Sequence, residues 1–227
     1  MKDRVLKPYD WFLIIGIIAT NIIYSVLTKT MDLVGSITAI SGVLCVVLVA
    51  KGNIWNYFFG LINVSMYAYV SFKASAYGDA ALNALYYLPM QFIGWFAWKK
   101  RMMSDVKVKA RRLSLAQRAW IALGCAAMTV ALGFVLQACG DGQPFKDSTT
   151  TVLSIVAQAL MAMAFMEQWV LWILTNVISV VMWVLFAAKG TPHAAVMVIM
   201  WSFYLLNSIN GLRVWLKLSN CPDGKVD

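Results

Sequence analysis

Lys99-Lys100-Arg101-Met102-Met103-Ser104-Asp105-Val106-Lys107-Val108-Lys109-Ala110-Arg111-Arg112-Leu113-Ser114-Leu115-Ala116-Gln117-Arg118 is the stretch on which the fold turns. Eight of its residues are basic, in a 227-residue chain that is 61% hydrophobic and only 13% charged. A mean hydropathy of +0.72 is too high for an ordinary soluble domain. The net charge of +9 sits between apolar runs rather than on one surface, so it argues for membrane topology and against a nucleic-acid partner.

Working outward from this loop, eight runs approach the ~20 residues that a bilayer requires. They fall at about 10–28, 33–50, 54–74, 78–98, 117–138, 148–166, 168–188 and 193–216. The turns between them carry breakers, such as Lys51-Gly52-Asn53, Tyr77-Gly78-Asp79 and Lys189-Gly190-Thr191-Pro192. Lys2, Arg4 and Lys7 ahead of Trp11–Leu27 look like a signal peptide, but that run is long and lacks a small-x-small cleavage site, so it reads as a first membrane helix.

Eight spans put both termini on one side. That side collects Lys2, Arg4, Lys7, Lys51, the eight basic residues of 99–118, Arg213, Lys217 and Lys225. Lys29, Lys73, Lys146 and Lys189 fall on the other, so the first side is cytoplasmic. The loop also separates three spans before it from one plus three after it. Two triplets of the same orientation need one extra helix between them, and span five supplies it, giving a 3+1+3 core of two parallel three-helix repeats. Internal echoes agree: Gly60-Leu61-Ile62-Asn63 with Ile173-Leu174-Thr175-Asn176, and Gly94–Trp98 with Gly211–Trp215. The resulting organisation is an N-terminal segment 1–32, a core 33–218 (33–100, linker 101–140, 147–218) and a tail 219–227.

Amides inside the spans are the candidate chemistry. Bilayer hydrocarbon offers them no water, so each must find a partner. In span four Asn83, Tyr87, Gln91 and Trp95 share one stripe, with Pro89 expected to kink the helix and free the Leu85 carbonyl. Span seven offers Trp169, Trp172, Asn176, Ser179 and Trp183; span three Gly60, Asn63 and Tyr67; span eight Trp201, Tyr204, Asn207 and Asn210. Each amide has a plain alternative as interhelical glue, and Trp and Tyr belong by default to interfacial belts. The belt accounts for Trp11, Trp98, Trp169 and Trp215, which lie near span ends.

No Asp, Glu, Lys, Arg or His falls mid-span, which argues for facilitated diffusion over ion coupling and against a phosphorylated cargo. His193 reads as a solvated turn residue. Cys45, Cys125, Cys139 and Cys221 have no metal-ligand or disulfide spacing, and no acid–base or nucleophile–base pair marks an enzyme, so no metal and no cofactor is expected. Stacking rings and two-way amides suit a cargo with a ring and hydroxyl or amide groups.

Asn56-Tyr57-Phe58-Phe59-Gly60-Leu61-Ile62-Asn63-Val64, Gln91-Phe92-Ile93-Gly94-Trp95-Phe96-Ala97-Trp98, Val152–Ala157, Glu167–Trp172, Asn176–Val181 and Asn210-Gly211-Leu212-Arg213-Val214-Trp215 resemble the PnuC family of bacterial vitamin carriers. The resemblance covers about residues 33–218, and the first helix looks like an addition to a seven-helix core. It implies an all-α membrane protein with a SWEET-like fold, a homotrimer in the inner membrane, and uptake of nicotinamide riboside for NAD biosynthesis. A cytoplasmic kinase would trap the cargo by phosphorylation. The family's Trp-x-x-Trp matches Trp95 and Trp98, its preceding Gln matches Gln91, and its last Asn-Gly matches Asn210-Gly211. Carriage of thiamine or another vitamin on the same fold, or a non-transporting membrane scaffold, are the alternatives.

Overall fold

The computed structural model describes residues 8–28, 33–73, 80–103, 107–140, 142–189 and 194–220. Lys2, Arg4, Lys7, Lys29, Lys225, His193, Cys221 and the Tyr77-Gly78-Asp79 turn lie outside the described residues. Among those described, the chain forms eight helices. They are α1 (Pro8–Thr28), α2 (Leu33–Ala50), α3 (Asn56–Lys73), α4 (a π-helical turn Leu82–Tyr87 running into Leu88–Lys99), α5 (Leu115–Ala138), α6 (Pro144–Ala162), α7 (Gln168–Ala188) and α8 (Ala194–Asn220).

The polarity of the molecule is inverted relative to a soluble domain. Asn56, Gln91, Gln158, Gln168, Asn176 and Asn207 are buried, while Phe12, Phe72, Phe96, Trp120, Phe134 and Val181 are exposed. Helices α5 and α7 are each long and apolar enough to cross a bilayer unaided, at mean hydropathy 2.1 and 2.3. Both keep most of that surface on the outside, which separates them from the buried core helix of a soluble protein.

Helices α2 and α6 end alike. Asn53 and Gly52 N–H return to the Leu48 and Val49 carbonyls, and Phe165 and Ala164 N–H return to Leu160 and Met161, each at 2.9 Å. This is the Schellman stop, which requires a left-handed residue: Gly52 has φ 63° and Ala164 has φ 60°. Gly52 announces its stop in the sequence. Ala164 does not, which is why the hydrophobic pattern predicts span six to run to 166 while α6 ends at Ala162.

Val49 and Met161 carbonyls each take a second donor from across the molecule. Trp215 of α8 donates Nε1–H to Val49 at 2.9 Å, and Trp98 of α4 donates to Met161 at 2.8 Å. The expectation that Trp98, Trp169 and Trp215 sit in an interfacial belt is corrected here: they are 0%, 2% and 0% exposed. They are near helix ends, but those ends face the junction between α2, α4, α6 and α8, where Trp98 and Trp215 meet last-turn carbonyls that need donors and Trp169 packs against Gly211 with its Nε1 unpartnered. Trp11, at 51% exposure, keeps an exposed, belt-compatible position.

The basic loop is also more than a topology signal. Val108 N–H bonds the Gly52 carbonyl at 2.9 Å and Arg111 N–H bonds the Ala164 carbonyl at 2.7 Å, so one short strand of backbone ties both Schellman turns together. Glu167 fixes the far end, accepting from Leu113 N–H at 3.1 Å and pairing with Arg118 at 2.8 Å. Helix α1, outside the family resemblance, is integrated rather than appended. It packs on α2 and α8, Asp10 pairs with Lys51 at 2.7 Å, and the Tyr9 hydroxyl donates to the Leu206 carbonyl at 3.0 Å.

Candidate functional site

Pro89 removes a backbone donor, and the turn before it is wound as a π-helix, with Leu88 N–H bonding the Asn83 carbonyl. The local cost is absorbed by widening. The wider turn carries Asn83, which is buried, and ends at Tyr87, whose carbonyl accepts from Gln91 Nε2 at 3.0 Å. With its nitrogen committed, Gln91 leaves Oε1 buried and without a hydrogen-bond partner. That oxygen projects over Gly60 of α3, and the Cys45 sulfur of α2 flanks the same notch, 3.2 Å from where a Gly60 side chain would begin.

Asn207 of α8 reaches α2 one residue on, donating Nδ2–H to the Val46 carbonyl at 3.1 Å. Its Oδ1 is likewise buried and unpartnered. Gln91 and Asn207 therefore approach α2 at successive residues from different helices. Tyr204, one turn before Asn207, lies within electrostatic reach of Cys45 and of Tyr67 on α3, and stacks edge-on with Trp201 at 5.7 Å between centroids. Asn210 Nδ2 is a further buried donor without a partner. The cluster offers unpaired acceptors and one unpaired donor beside phenol rings, while the ion pairs Asp10–Lys51 and Glu167–Arg118 lie apart from it at helix ends.

Other expected residues have neighbours of their own within the fold. Asn63 donates to the Thr38 carbonyl at 2.7 Å and lies against Gly42. Asn176 donates to Ser208 Oγ at 2.8 Å. Trp95 sits edge-on to Trp55 at 6.0 Å, and Trp183 edge-on to Phe186 at 5.6 Å; both are half-buried.

Sequence reasoning passed over Cys45, Gln158 and Gln168. Gln168 is fully buried with both amide atoms unpartnered, and Gln158 Nε2 is unpartnered as well. Gln168 opens α7 as Asn56 opens α3, and both are 0% exposed. A polar residue after a turn reads as solvated in sequence; only the loop folded over these turns encloses it.

Residues 32–217 match the family model described as "Nicotinamide mononucleotide transporter". The chain is 39% identical over 197 residues to the nicotinamide riboside transporter PnuC of Neisseria mucosa, covering 84% of this chain and 74% of that one. It is 41% identical over 185 residues to that of Haemophilus influenzae, covering 80% and 78%. A solved structure, "Crystal structure of the Vitamin B3 transporter PnuC", superposes with TM-score 0.78 at 34% identity, covering 94% of this chain and 93% of that chain.

Proposed function

The chain belongs to the PnuC family of nicotinamide riboside transporters, and from that membership we propose that it takes up nicotinamide riboside by facilitated diffusion across the bacterial inner membrane. It is a transporter and not an enzyme. The observation that carries the cargo assignment is the pair of unpartnered amide oxygens, Gln91 Oε1 and Asn207 Oδ1, set beside α2 near Tyr204. Buried acceptors without donors cost ~1–3 kcal/mol each. Ribose hydroxyls and a carboxamide N–H₂ supply the missing donors, and a cationic pyridinium gains from phenol and indole faces.

The same cluster favours the riboside over the mononucleotide. A phosphate calls for an Arg or Lys clamp. Lys51 is paired to buried Asp10 at a helix end, and Arg118 lies with Glu167 on the groove between α5, α6 and α7, away from the amide cluster. Metabolic trapping by a cytoplasmic kinase follows naturally, because the phosphorylated product no longer fits the site that admitted its precursor.

The architecture that accompanies this reading is α1 plus a 3+1+3 core, α2–α4 and α6–α8 in parallel with α5 as linker, assembled as a homotrimer with both termini cytoplasmic. Matching Schellman stops and the crossed Trp98 and Trp215 bonds support the repeat relationship. The core spans 33–218, with 33–100 and 147–218 as the repeats. Gln91, Asn207, Asn210, Tyr204 and Tyr67 line the cargo site, with Asn83, Tyr87, Trp95 and Trp183 completing its wall. Asn63 and Asn176, with their nitrogens bonded to Thr38 and Ser208, act as glue between helices.

Calorimetric titration of the purified chain tests this, with nicotinamide riboside, thiamine and nicotinamide mononucleotide run in parallel on wild type, Gln91→Leu and Asn207→Leu. Binding of the riboside alone, weakened at least tenfold in both variants while they remain folded, is the expected result. Thiamine binding in its place would reassign the cargo. Unchanged affinity in both variants would leave these amides as glue.

A further inference from the structure

A cavity lies away from the amide cluster. It is a groove of about 680 Å³ between α5, α6 and α7, walled by Ile121, Ala122, Ala126, Leu153, Leu171 and Leu174. That volume is in the range of ligand sites, about 300–1,000 Å³, but the walls are mostly apolar, with Thr129 and Thr149 the polar side chains along their length, which suits a riboside poorly. The small side chains at Ala122 and Ala126 leave room, with Cys125, Val152 and Leu153 forming the packed floor. The outer side of α5 presents Trp120, Leu123, Met128 and Phe134 to the surroundings.

One end of the groove is charged; the other polar groups in its lining are the Thr129 and Thr149 hydroxyls, and Thr149 Oγ1 is bonded to the Phe145 carbonyl. Arg118 and Glu167 close the charged end beside the basic loop. Arg118 gives Nε–H to Glu167 Oε1 at 3.0 Å and an Nη2–H at 2.8 Å, which leaves further guanidinium donors on a side chain 43% exposed. Glu167 Oε1 takes one edge of the guanidinium and leaves the rest of it open to the exposed side. The local charge is positive, with Lys107, Lys109, Arg111 and Arg112 on the adjoining loop.

We infer that this groove holds an anionic phospholipid of the cytoplasmic leaflet, one acyl chain along α5–α7 and its phosphate on Arg118. An apolar trough ending in a cation matches the amphipathic shape of such a lipid. Excess Lys and Arg at that depth draw anionic head groups from the leaflet. Inside the bilayer the acyl chain gains packing contacts rather than hydrophobic transfer energy, so the trough fixes the chain's position while Arg118 selects the head group. The assignment rests on the cytoplasmic placement of the basic loop proposed above and is independent of the cargo.

Native mass spectrometry of the detergent-purified chain, titrated with phosphatidylglycerol and with phosphatidylcholine of the same acyl chains, reads this directly and without cargo. Phosphatidylglycerol is expected to bind at least fivefold more tightly. Ala126→Phe, which fills the trough and leaves the ion pair alone, should cut binding of both lipids about tenfold. Arg118→Gln should abolish the preference while sparing phosphatidylcholine. Unaltered binding in Ala126→Phe would overturn the chain placement. A preference retained in Arg118→Gln would overturn the head-group placement. If Ala126→Phe instead split an oligomer while lipid counts stayed constant, the groove would be a contact between copies and the proposal would fail.

Discussion

Trp98 and Trp215 lie 5.6 Å apart between ring centroids at 52°, and each sends its indole N–H to a carbonyl one residue from the end of a helix in the other half of the molecule. Each such carbonyl, Met161 and Val49, also accepts from its own turn at Ala164 and Gly52. The two tryptophans thus close the junction between α2, α4, α6 and α8 by one repeated device.

Replacing either with Phe should therefore be tolerated but measurable. The abandoned carbonyl keeps its turn donor, so the loss is near the net value of a hydrogen bond, about 0.5–1.5 kcal/mol, with a further term for the smaller ring. Because the rings touch, the double variant Trp98→Phe/Trp215→Phe should depart from additivity by about 0.5 kcal/mol or more. Chemical unfolding of the four proteins in detergent measures this, and additivity would mean that the bonds stabilise independent regions.

Glycines at this junction separate into two kinds. Gly94 lies against the Tyr57 ring, and a methyl on Gly211 would come within 2.6 Å of the Trp169 ring. Neither ring can yield, since Tyr57 and Trp169 are buried. Gly94→Ala and Gly211→Ala should each cost about 1–3 kcal/mol or more by overpacking and lower expression of folded protein. Gly52→Ala meets Leu218 only at 3.4 Å. Ala164 already occupies the equivalent left-handed position, so the cost there should stay near 1 kcal/mol. A ranking of thermal stability with Gly52→Ala lowest would refute this.

The sequence showed helices, their number and the division at the basic loop because those depend on composition and breakers. Its echo of Gly94–Trp98 in Gly211–Trp215 corresponds to matched packing, each glycine receiving an aromatic from the second position of α3 or α7. The echo of Asn63 with Asn176 does not. Aligning the stops at Gly52 and Ala164 pairs Asn63 with Thr175, one residue away, and one residue turns a helix by ~100°. That step explains why Asn63 bonds Thr38 while Asn176 bonds Ser208. The burial of Gln168 and of the tryptophans was not legible, because it depends on a loop whose charges suggest solvent while its backbone and Val108 are folded inward.

Asn176 and Ser208 should behave as a structural pair. A double-mutant cycle with Asn176→Ala and Ser208→Ala is expected to give a coupling of ~0.6–1.7 kcal/mol, the range for hydrogen bonds between membrane helices. Unfolding in detergent supplies the stabilities. A coupling near zero would show that the contact does not persist outside the bilayer.

Gly60→Ala is the sharpest test of the cargo site, because stability and binding should move in opposite directions. Ala is intrinsically better than Gly in a helix interior by ~0.5–1 kcal/mol. The new methyl would meet the far end of the flexible Gln91 side chain, which can turn about its Nε2 bond to the Tyr87 carbonyl, and the Cys45 sulfur at 3.2 Å. The helix should therefore hold or gain stability while Gln91 Oε1 is displaced from the position in which it awaits a donor. Affinity for nicotinamide riboside is expected to fall by at least tenfold with an unchanged or slightly higher unfolding midpoint. Shortening the displaced side chain in Gly60→Ala/Gln91→Asn should restore part of it. Full affinity in Gly60→Ala would mean that the oxygen over this glycine does not touch the cargo, and the site would have to be sought nearer Asn207 and Asn210.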